Sequence, residues 1–286
     1  MEGAAATRTD SAVEGAGSGA AEQADTPTAS ASTVPPIRSD MSQSLSSRCD
    51  DDMTTFRMPL SLRADAVELL DGGCLSLPEI ERNLVDLARL NRLPGGIGAS
   101  VDAIRRLLGG RSDARILDVG TGSADMPLVF ARHGWNVTAL DTNADVLLIA
   151  RRETAPETRI QVVEGDARLL PYQDGAFDIS HCSLLVHHLD PDDVVSVLRE
   201  LRRVSRIGVV INDLRRGLMP LVATALAVTI VGRSHVTRHD GLLSARRAYT
   251  IAELDRLLAA AGLIACWRSS RWMPRVVTAA TSAAHR

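Results

Sequence analysis

The stretch at residues 115–131, RILDVGTGSADMPLVFA, constrains the fold of this chain most strongly. It begins with a short apolar run, continues through Gly120-Thr-Gly122 and ends with apolar residues at helical spacing. A strand, a glycine turn and a helix in this order place backbone N–H groups and a helix N-terminus against a ligand. The stretch therefore predicts a ligand-binding turn at the first strand of an α/β sheet.

Two acidic residues make this turn a poor dinucleotide site. The fingerprint G-x-G-x-x-G needs a third glycine where a pyrophosphate approaches, and Asp125 occupies that position here. Asp118, two residues before Gly120, would also repel a phosphate, whereas it suits a cationic or amine-bearing ligand. The turn therefore favours a nucleoside with an amino-acid tail, and a NAD(P)-dependent oxidoreductase stays as an alternative.

The remainder of the chain alternates short apolar runs with helical patterns, which is typical of a parallel sheet with right-handed crossovers. We predict an α/β fold, Rossmann-like and doubly wound, with a mostly parallel sheet of seven strands. The predicted strands cover residues 115–119, 136–140, 160–163, 177–182, 208–211, 263–267 and 276–280.

The composition changes along the chain and predicts its organisation. Residues 1–55 are rich in Ala, Ser, Thr, Gly and Pro, so too little apolar surface offsets the ordering entropy and we predict a disordered tail. Residues 56–110 form a predicted N-terminal helical cap, in which Ser76-Leu-Pro-Glu79 is a capping box. Residues 111–286 form the predicted core, with a substrate-recognition insertion at about 214–249.

Within that insertion, residues 218–231 are almost wholly apolar. A membrane span needs about 20 such residues, so no stable membrane insertion is predicted. A buried helix or the wall of an apolar pocket is favoured, with an interfacial membrane contact as the alternative. No secretory signal is visible at the N-terminus, and we expect a cytoplasmic protein.

The composition excludes several chemistries. The chain contains no lysine, which rules out a Walker A lysine, a pyridoxal-phosphate Schiff base and a lysine nucleophile. The four cysteines form no C-x-x-C pair, so no zinc site or disulfide framework is predicted. Because aromatics make up only 3% of residues and the net charge is −3, we predict no nucleic-acid partner.

The glycine turn closely resembles motif I of the class I S-adenosylmethionine (SAM) methyltransferases, acidic-x-G-x-G-x-G. Asp118, Gly120 and Gly122 match, and Ala124 replaces the last glycine. The resemblance covers about residues 110–212 with specific motifs, and the rest from residue 60 more loosely. The helical cap and the Arg-His-Asp-Gly stretch are similar to those of bacterial small-molecule methyltransferases, some of which modify phenolic or quinone-like products. This resemblance implies SAM as the cofactor.

Further candidate cofactor residues follow the predicted strands. Asp141 ends strand two, where an acid hydrogen-bonds ribose hydroxyls, although an N-cap for the following helix is the alternative. The resemblance implies that Asp166 accepts a hydrogen bond from the adenine amine, that Ala167 leaves room for the ring and that His181 lines the cofactor. The complete set of expected cofactor-binding residues is Asp118, Gly120, Gly122, Asp141, Thr142, Asp166, Ala167 and His181.

Three residues are candidates for catalysis. His239 is the preferred general base with Asp240 as its orienting partner, and a polar surface loop is the alternative for that segment. Asp213 either takes a proton from a substrate hydroxyl or pairs with a neighbouring arginine. His188 is the third candidate, and packing of His187 or His188 behind the site is the equally weighted alternative. Because adjacent residues do not share a helix face, no metal site is predicted there.

The resemblance implies methyl transfer from SAM to a small, fairly apolar acceptor, at a hydroxyl of a phenolic or quinone-like metabolite. A carbon methyltransferase acting on a quinone ring shares every motif. A non-catalytic SAM-binding module is a further alternative, because cofactor motifs alone do not establish turnover.

Overall fold

The computed structural model of the protein describes residues 59–269 and 273–283, all of which belong to one compact unit, Leu45–Arg286. The predicted tail at residues 1–55 lies outside the described residues. The boundaries predicted for the cap, the core and the insertion stay predictions.

The described residues form one seven-stranded sheet. Its strands are β1 (Arg115–Val119), β2 (Asn136–Asp141), β3 (Ile160–Glu164), β4 (Phe177–Ser183), β5 (Ser205–Leu214), β6 (Leu263–Arg268) and β7 (Arg275–Ser282). The spatial order is β3-β2-β1-β4-β5-β7-β6. Strands β1 to β5 pair in parallel, and β7 runs antiparallel to both β5 and β6. The predicted doubly wound, mostly parallel seven-stranded fold is confirmed.

Eight α-helices accompany the sheet in the described part of the chain. They are α1 (Leu77–Asn91), α2 (Ile97–Leu108), α3 (Asp125–Arg132), α4 (Ala144–Thr154), α5 (Pro191–Val204), α6 (Leu218–Val231), α7 (His235–Arg247) and α8 (Ile251–Ala260). A short 3₁₀ turn, Val186–His188, follows β4.

The alternating side chains of β1 explain why the sheet is covered on both faces. Ile116 belongs to an apolar cluster with residues of α2 and α3, whereas Leu117 and Val119 belong to a second cluster with residues of α5 and α8. Successive side chains of a strand point to opposite faces, so a continuous apolar run serves both layers. All of these strand residues are buried.

Local hydrogen bonds explain where two of the helices begin. The Ser76 backbone N–H donates to the Glu79 carboxylate at 2.9 Å, and the Thr250 N–H donates to the Glu253 carboxylate at 2.8 Å. In α8 the Glu253 N–H also donates to the Thr250 hydroxyl at 3.3 Å. These bonds satisfy N–H groups that a helix N-terminus leaves without intrahelical partners.

The insertion is more helical than the sequence suggested. The segment containing His239, for which a polar loop was the alternative, is part of helix α7, which begins after Ser234; the Ser234 hydroxyl accepts a hydrogen bond from the Val236 N–H at 3.2 Å. Helix α6 is buried only in part. Five of its large apolar side chains are exposed: Leu218, Met219, Val222, Leu226 and Ile230. None of the described helices is long and apolar enough to cross a membrane.

The strand order determines where a ligand binds. From β1 the chain moves outward to β2 and β3, and then returns to β4 on the other side of β1. In open α/β sheets a crevice opens at such a reversal, beyond the carboxyl ends of the strands. The ends of β1, β2 and β4 are therefore the expected position of the site.

Candidate active site

A cavity of about 580 Å³ lies at the carboxyl ends of β1, β2, β4 and β5. The glycine turn and the end of β2 form one part of its wall. Helices α1, α6 and α7, the 3₁₀ turn and the segment before α1 form the rest. Part of the predicted cap and part of the predicted insertion thus lie against the strand ends.

The glycine turn retains the backbone geometry of three glycines although its last position is alanine. Gly120, Gly122 and Ala124 have φ angles of 67°, 56° and 61°. This left-handed region favours glycine, and a residue with a Cβ enters it at a cost of about 1–2 kcal/mol. Ala124 is fully buried. Ala124 therefore adds a methyl group at the third glycine position, and the backbone of the turn keeps the conformation of a glycine there.

Asp118 lines the cavity at the end of β1, and two buried side chains hold its carboxylate. The Thr121 hydroxyl donates to one oxygen at 2.7 Å, and His181 Nδ1 lies 2.6 Å from the other. His181 Nε2 lies 2.9 Å from the Ser100 hydroxyl. His181 is fully buried behind Asp118 and is not among the described cavity-lining residues. The structure therefore does not bring His181 to the cavity, because its ring contacts Asp118 from within the core.

Asp141 and Thr142 line the cavity at the end of β2. The Asp141 carboxylate accepts hydrogen bonds from the backbone N–H groups of Gly122 and Asn143, both at 3.1 Å. Burial raises the pKa of Asp141, and these backbone donors act in the opposite direction. Asn143 caps helix α4, since its side chain accepts from the N–H groups of the first turn. The N-cap alternative for Asp141 is therefore wrong, and its carboxylate stays beside the cavity.

Asp166 and Ala167 have different positions. Ala167 is buried at the cavity wall, as is Gly165. Asp166 pairs with Arg168 at 2.8 Å and its side chain is 44% exposed. It is absent from the described cavity lining. The structure therefore does not bring Asp166 to the cavity, because the neighbouring guanidinium draws its carboxylate toward solvent.

A cluster of two histidines and three carboxylates lies at another part of the cavity. The imidazole rings of His187 and His188 are 4.3 Å apart between centroids. His187 Nδ1 lies 2.5 Å from Asp213, and His188 Nδ1 lies 2.6 Å from Asp71. Both Nε2 atoms are 3.7 Å from an oxygen of Glu68. The 3₁₀ turn thus brings both rings to one carboxylate. The sequence argument that two adjacent histidines cannot face the same metal ion assumed an α-helix, and it does not hold for this turn.

The electrostatics of this cluster favour charged groups. Burial alone would lower the pKa of His188, but Glu68, Asp71 and Asp213 outweigh it and raise that pKa to about 9. Burial would raise the pKa of Asp213, but His187 holds it below its ordinary value. Asp213 is therefore an ionised partner of His187. Asp213 is absent from the described cavity lining, so the structure pairs its carboxylate with His187 and does not bring it to the cavity.

His239 lies outside the described lining of the cavity. Its Nδ1 is 2.8 Å from the Asp240 carboxylate, so the predicted pair forms. Asp240 itself lines the cavity, but it also accepts hydrogen bonds from the Leu69 and Leu70 N–H groups at 2.9 and 3.1 Å. The pair therefore anchors the segment before α1, and a base reaching into the cavity is better sought at His187 and His188.

Arg275 is a cavity residue that the sequence analysis missed. It is buried at the start of β7 and donates to Asn212 at 3.0 Å, Asn91 at 2.5 Å and Ser183 at 2.7 Å. Burial lowers its pKa to about 10 although nearby carboxylates act in the opposite direction. A guanidinium has five N–H donors, so among the described residues two remain after these three neutral partners. No local motif marks such a residue, because its partners come from distant elements.

Glu68 was missed for the same reason. It precedes α1 in a segment of irregular structure and is buried against α7, where the Ser244 hydroxyl donates to it at 2.8 Å. The feature that marks Glu68 as a site residue is the burial of its carboxylate. Burial is visible in the folded structure and not in the sequence.

Comparison with known proteins shows similarity to methyltransferases over part of the chain. Residues 116–208 match the family model described as a methyltransferase domain. A malonyl-[acyl-carrier protein] O-methyltransferase of Pectobacterium atrosepticum is 34% identical over 112 residues, which cover 39% of this chain and 42% of that protein. A demethylmenaquinone methyltransferase of Staphylococcus saprophyticus is 31% identical over 101 residues, which cover 34% and 42%.

A solved structure agrees with the fold. A SAM-dependent methyltransferase from Aquifex aeolicus superposes with a TM-score of 0.52 at 17% identity, covering 72% of this chain and 98% of that one. Residues 116–208 are thus similar to a methyltransferase domain, and the fold of the chain is similar to that of a SAM-dependent methyltransferase. The chain spans less than half the length of the two curated relatives described above.

The residues at the cavity fit SAM chemically. Asp141 offers a carboxylate to ribose hydroxyls, and Ala167 leaves a small side chain where a flat ring needs space. Asp118 offers negative charge to an amine, and Arg275 offers a positive charge to a carboxylate. An adenosine joined to an amino acid carries each of these complementary groups.

Proposed function

We propose that the protein transfers the methyl group of SAM to an oxygen of a small, fairly apolar acceptor, such as a phenolic or quinone-like hydroxyl. The observation that carries this proposal is that the same cavity joins two sets of groups. The residues suited to SAM lie in one part, and His187, His188 and Glu68 lie in another. A cofactor site without an acceptor function would not require the second set.

The walls beside these histidines support an apolar acceptor. Leu214, Ala227 and Val228 line the cavity from β5 and α6. Thr224, on the same side of α6, is only 6% exposed, and within the described residues its hydroxyl has no hydrogen-bond partner. Because a buried hydroxyl left unpaired costs about 1–3 kcal/mol, an acceptor oxygen at this wall would stabilise the complex.

The chemistry requires little from the protein beyond placement and proton removal. SAM supplies a methyl group already activated on a sulfonium. Orienting two reactants in one cavity gives effective molarities of about 10⁵ M or more. The acceptor proton must also leave, and His187 and His188 are the histidines of the described chain that line the cavity. Because the pKa of His188 is raised to about 9, that ring holds its own proton near neutral pH, and His187 is preferred as the base over both His188 and His239.

Methylation of a ring carbon is a second candidate. The relative from Staphylococcus saprophyticus is named a demethylmenaquinone methyltransferase, and loss of a proton from a ring hydroxyl also activates the neighbouring carbon. The apolar wall of α6 suits either product. The two reactions differ in whether the product keeps a titratable hydroxyl.

Mass spectrometry tests the proposal. The full chain is incubated with SAM and a panel of phenols, hydroquinones and carboxylic acids, and each acceptor is scored for the gain of one methyl group. We expect turnover with an apolar phenol or hydroquinone. Binding of SAM without methyl gain on any acceptor would support a non-catalytic module instead. The fragmentation pattern of the product separates oxygen from carbon methylation.

Replacing Asp141 by alanine is expected to weaken cofactor binding by about 10–100-fold. A hydrogen bond to a charged group contributes about 1.5–3 kcal/mol, and Asp141 lines the cavity with its carboxylate partly occupied by backbone donors. Calorimetry with S-adenosylhomocysteine and with 5′-methylthioadenosine measures the change. Both ligands carry the ribose hydroxyls, so both affinities should fall.

Asp145→Ala is the matched control, because Asp145 is an exposed acid four residues further along. It should bind both ligands as the wild-type chain does. Wild-type affinity in Asp141→Ala would refute the ribose role.

A further inference from the structure

The imidazoles of His187 and His188 and the carboxylate of Glu68 form a compact set of potential ligand atoms. One ligand atom from each residue lies within 4.8 Å of the other two. His187 Nε2 lies 3.7 Å from one carboxylate oxygen of Glu68, and His188 Nε2 lies 3.7 Å from the other; both separations are longer than a hydrogen bond. These atoms therefore face one another at distances suited to an ion that bridges them.

The second nitrogen of each ring is held by a carboxylate. Asp213 lies 2.5 Å from Nδ1 of His187, and Asp71 lies 2.6 Å from Nδ1 of His188. When the rings are neutral, these carboxylates favour the tautomer with the proton on Nδ1, which leaves the Nε2 lone pair directed at Glu68; a bound metal ion would take the place of any proton on Nε2. Histidines that bind metals almost always have such a partner on their other nitrogen.

The surroundings keep the set rigid. The Ser244 hydroxyl donates to Glu68 at 2.8 Å. Arg247 donates to the main-chain oxygen of His187 at 3.2 Å and to that of His188 at 2.8 Å. Both arginine bonds fix the backbone of the 3₁₀ turn and leave the ring nitrogens free of guanidinium contacts. Sites that bind ions well combine fixed ligands with such support.

We propose that Glu68, His187 and His188 bind one divalent transition-metal ion of the Zn²⁺ type. Two imidazole nitrogens and one carboxylate oxygen, with a further position open, are a common ligand set of catalytic zinc sites. Zinc–ligand distances of about 2.0–2.2 Å place the ligands of a tetrahedral ion roughly 3.3–3.6 Å apart. Each imidazole already lies 3.7 Å from its nearer Glu68 oxygen, and the three ligand atoms, which lie within 4.8 Å of one another, would draw together around the ion.

The open position of this site faces the cavity, since all three ligand residues line it. An acceptor hydroxyl binding there would release its proton to solvent more readily, because a bound cation lowers the pKa of an attached hydroxyl. This role rests on the proposed methyl transfer. The metal site itself does not, because ion binding is measured without SAM and without an acceptor.

Calorimetry with ZnCl₂ and visible absorption with CoCl₂ test the site on the full chain, purified without a polyhistidine tag and freed of metal by a chelator. We expect one ion per wild-type chain and, with Co²⁺, the absorption bands of a tetrahedral nitrogen–oxygen site. Glu68→Gln and His188→Ala should each weaken Zn²⁺ binding by at least about 100-fold. Asp71→Asn removes only the partner of His188 and should weaken binding by about 10–100-fold.

His235→Ala is the matched control, because His235 is exposed at the start of α7, and it should bind Zn²⁺ as the wild type does. Circular dichroism and thermal unfolding establish that each variant is folded. Glu68→Gln keeps the shape of the side chain, so it serves if His188→Ala unfolds. Wild-type chain that binds neither ion stoichiometrically would overturn the proposal. Binding that is equally strong in Glu68→Gln and His188→Ala would also overturn it.

Discussion

His187→Gln is expected to lower kcat by about 100–10,000-fold while leaving the affinity for S-adenosylhomocysteine within about twofold of wild type. General acid–base catalysis contributes a factor of this size, which corresponds to about 2.7–5.5 kcal/mol of activation free energy. His187 faces the cavity with Nδ1 held by Asp213 at 2.5 Å. Glutamine keeps much of the volume but cannot accept the acceptor's proton. Initial rates at saturating SAM and calorimetry measure the two quantities.

The partnership with Asp213 provides an internal check on this prediction. If Asp213 acts only by orienting His187, Asp213→Asn should lower kcat, and the double variant should be no slower than His187→Gln alone, because residues that act as a unit are not additive. Additive losses would show that Asp213 contributes separately. His235→Ala removes an exposed histidine and should keep wild-type turnover. Unchanged turnover in His187→Gln would exclude it from the reaction.

The same variant distinguishes the two roles open to the ring. If His187 is only a general base, His187→Gln should lower turnover and leave Zn²⁺ binding intact. If His187 is a metal ligand, the variant should lose both turnover and Zn²⁺ binding. Zn²⁺ calorimetry and turnover are measured for His187→Gln as well as for Glu68→Gln. The two measurements separate an incorrect metal site from an incorrect assignment of methyl transfer.

The sheet was predictable from the sequence because its signals are local. The apolar run at residues 115–119 and the glycines after it define β1 and the turn within one short window. Each predicted strand corresponds to an observed one. The largest difference is β5, which extends over Ser205–Leu214, because backbone pairing with β4 and β7 continues into residues whose side chains are polar.

The sequence also predicted some of the residues at the proposed cofactor part of the cavity. Asp166 and His181 are the exceptions, because neighbouring residues hold their side chains elsewhere. Asp118 and Asp141 lie at strand ends, so topology alone brings them to the cavity. Asp166 also lies near a strand end, but Arg168 two residues later competes for its carboxylate. His181 is two residues from the end of β4, and its ring packs edge-on against Phe130 at 5.1 Å in the core.

The acceptor part was not predictable, because its residues come from distant segments. Glu68 meets His187 across more than a hundred residues of sequence. The orientation of two adjacent histidines depends on the 3₁₀ turn after β4, which no periodicity marks. Arg275 joins Asn91, Ser183 and Asn212, each from a different element. Only the packing of the cap and the insertion on the sheet creates these contacts.

Arg275→Gln is expected to weaken S-adenosylhomocysteine binding by about 100-fold or more and to leave 5′-methylthioadenosine binding close to wild type. Removing one partner of a buried charged pair costs about 2–5 kcal/mol, and 100-fold corresponds to about 2.7 kcal/mol. Arg275 is buried at the cavity with three neutral partners and two remaining N–H donors. The carboxylate of the amino-acid tail would complete its partners, and 5′-methylthioadenosine lacks that tail.

Comparing S-adenosylhomocysteine with 5′-methylthioadenosine tests which part of the cofactor Arg275 contacts. Asp141→Ala should weaken both ligands, whereas Arg275→Gln should weaken only the one with the amino-acid tail. Arg275→Lys keeps the charge and should retain part of the affinity, although it loses the planar fork that matches a carboxylate. Arg256→Gln alters an exposed arginine and serves as the control. Equal losses for both ligands in Arg275→Gln would mean that the guanidinium supports the fold of the cavity, since a carboxylate contact affects only the ligand that carries the carboxylate.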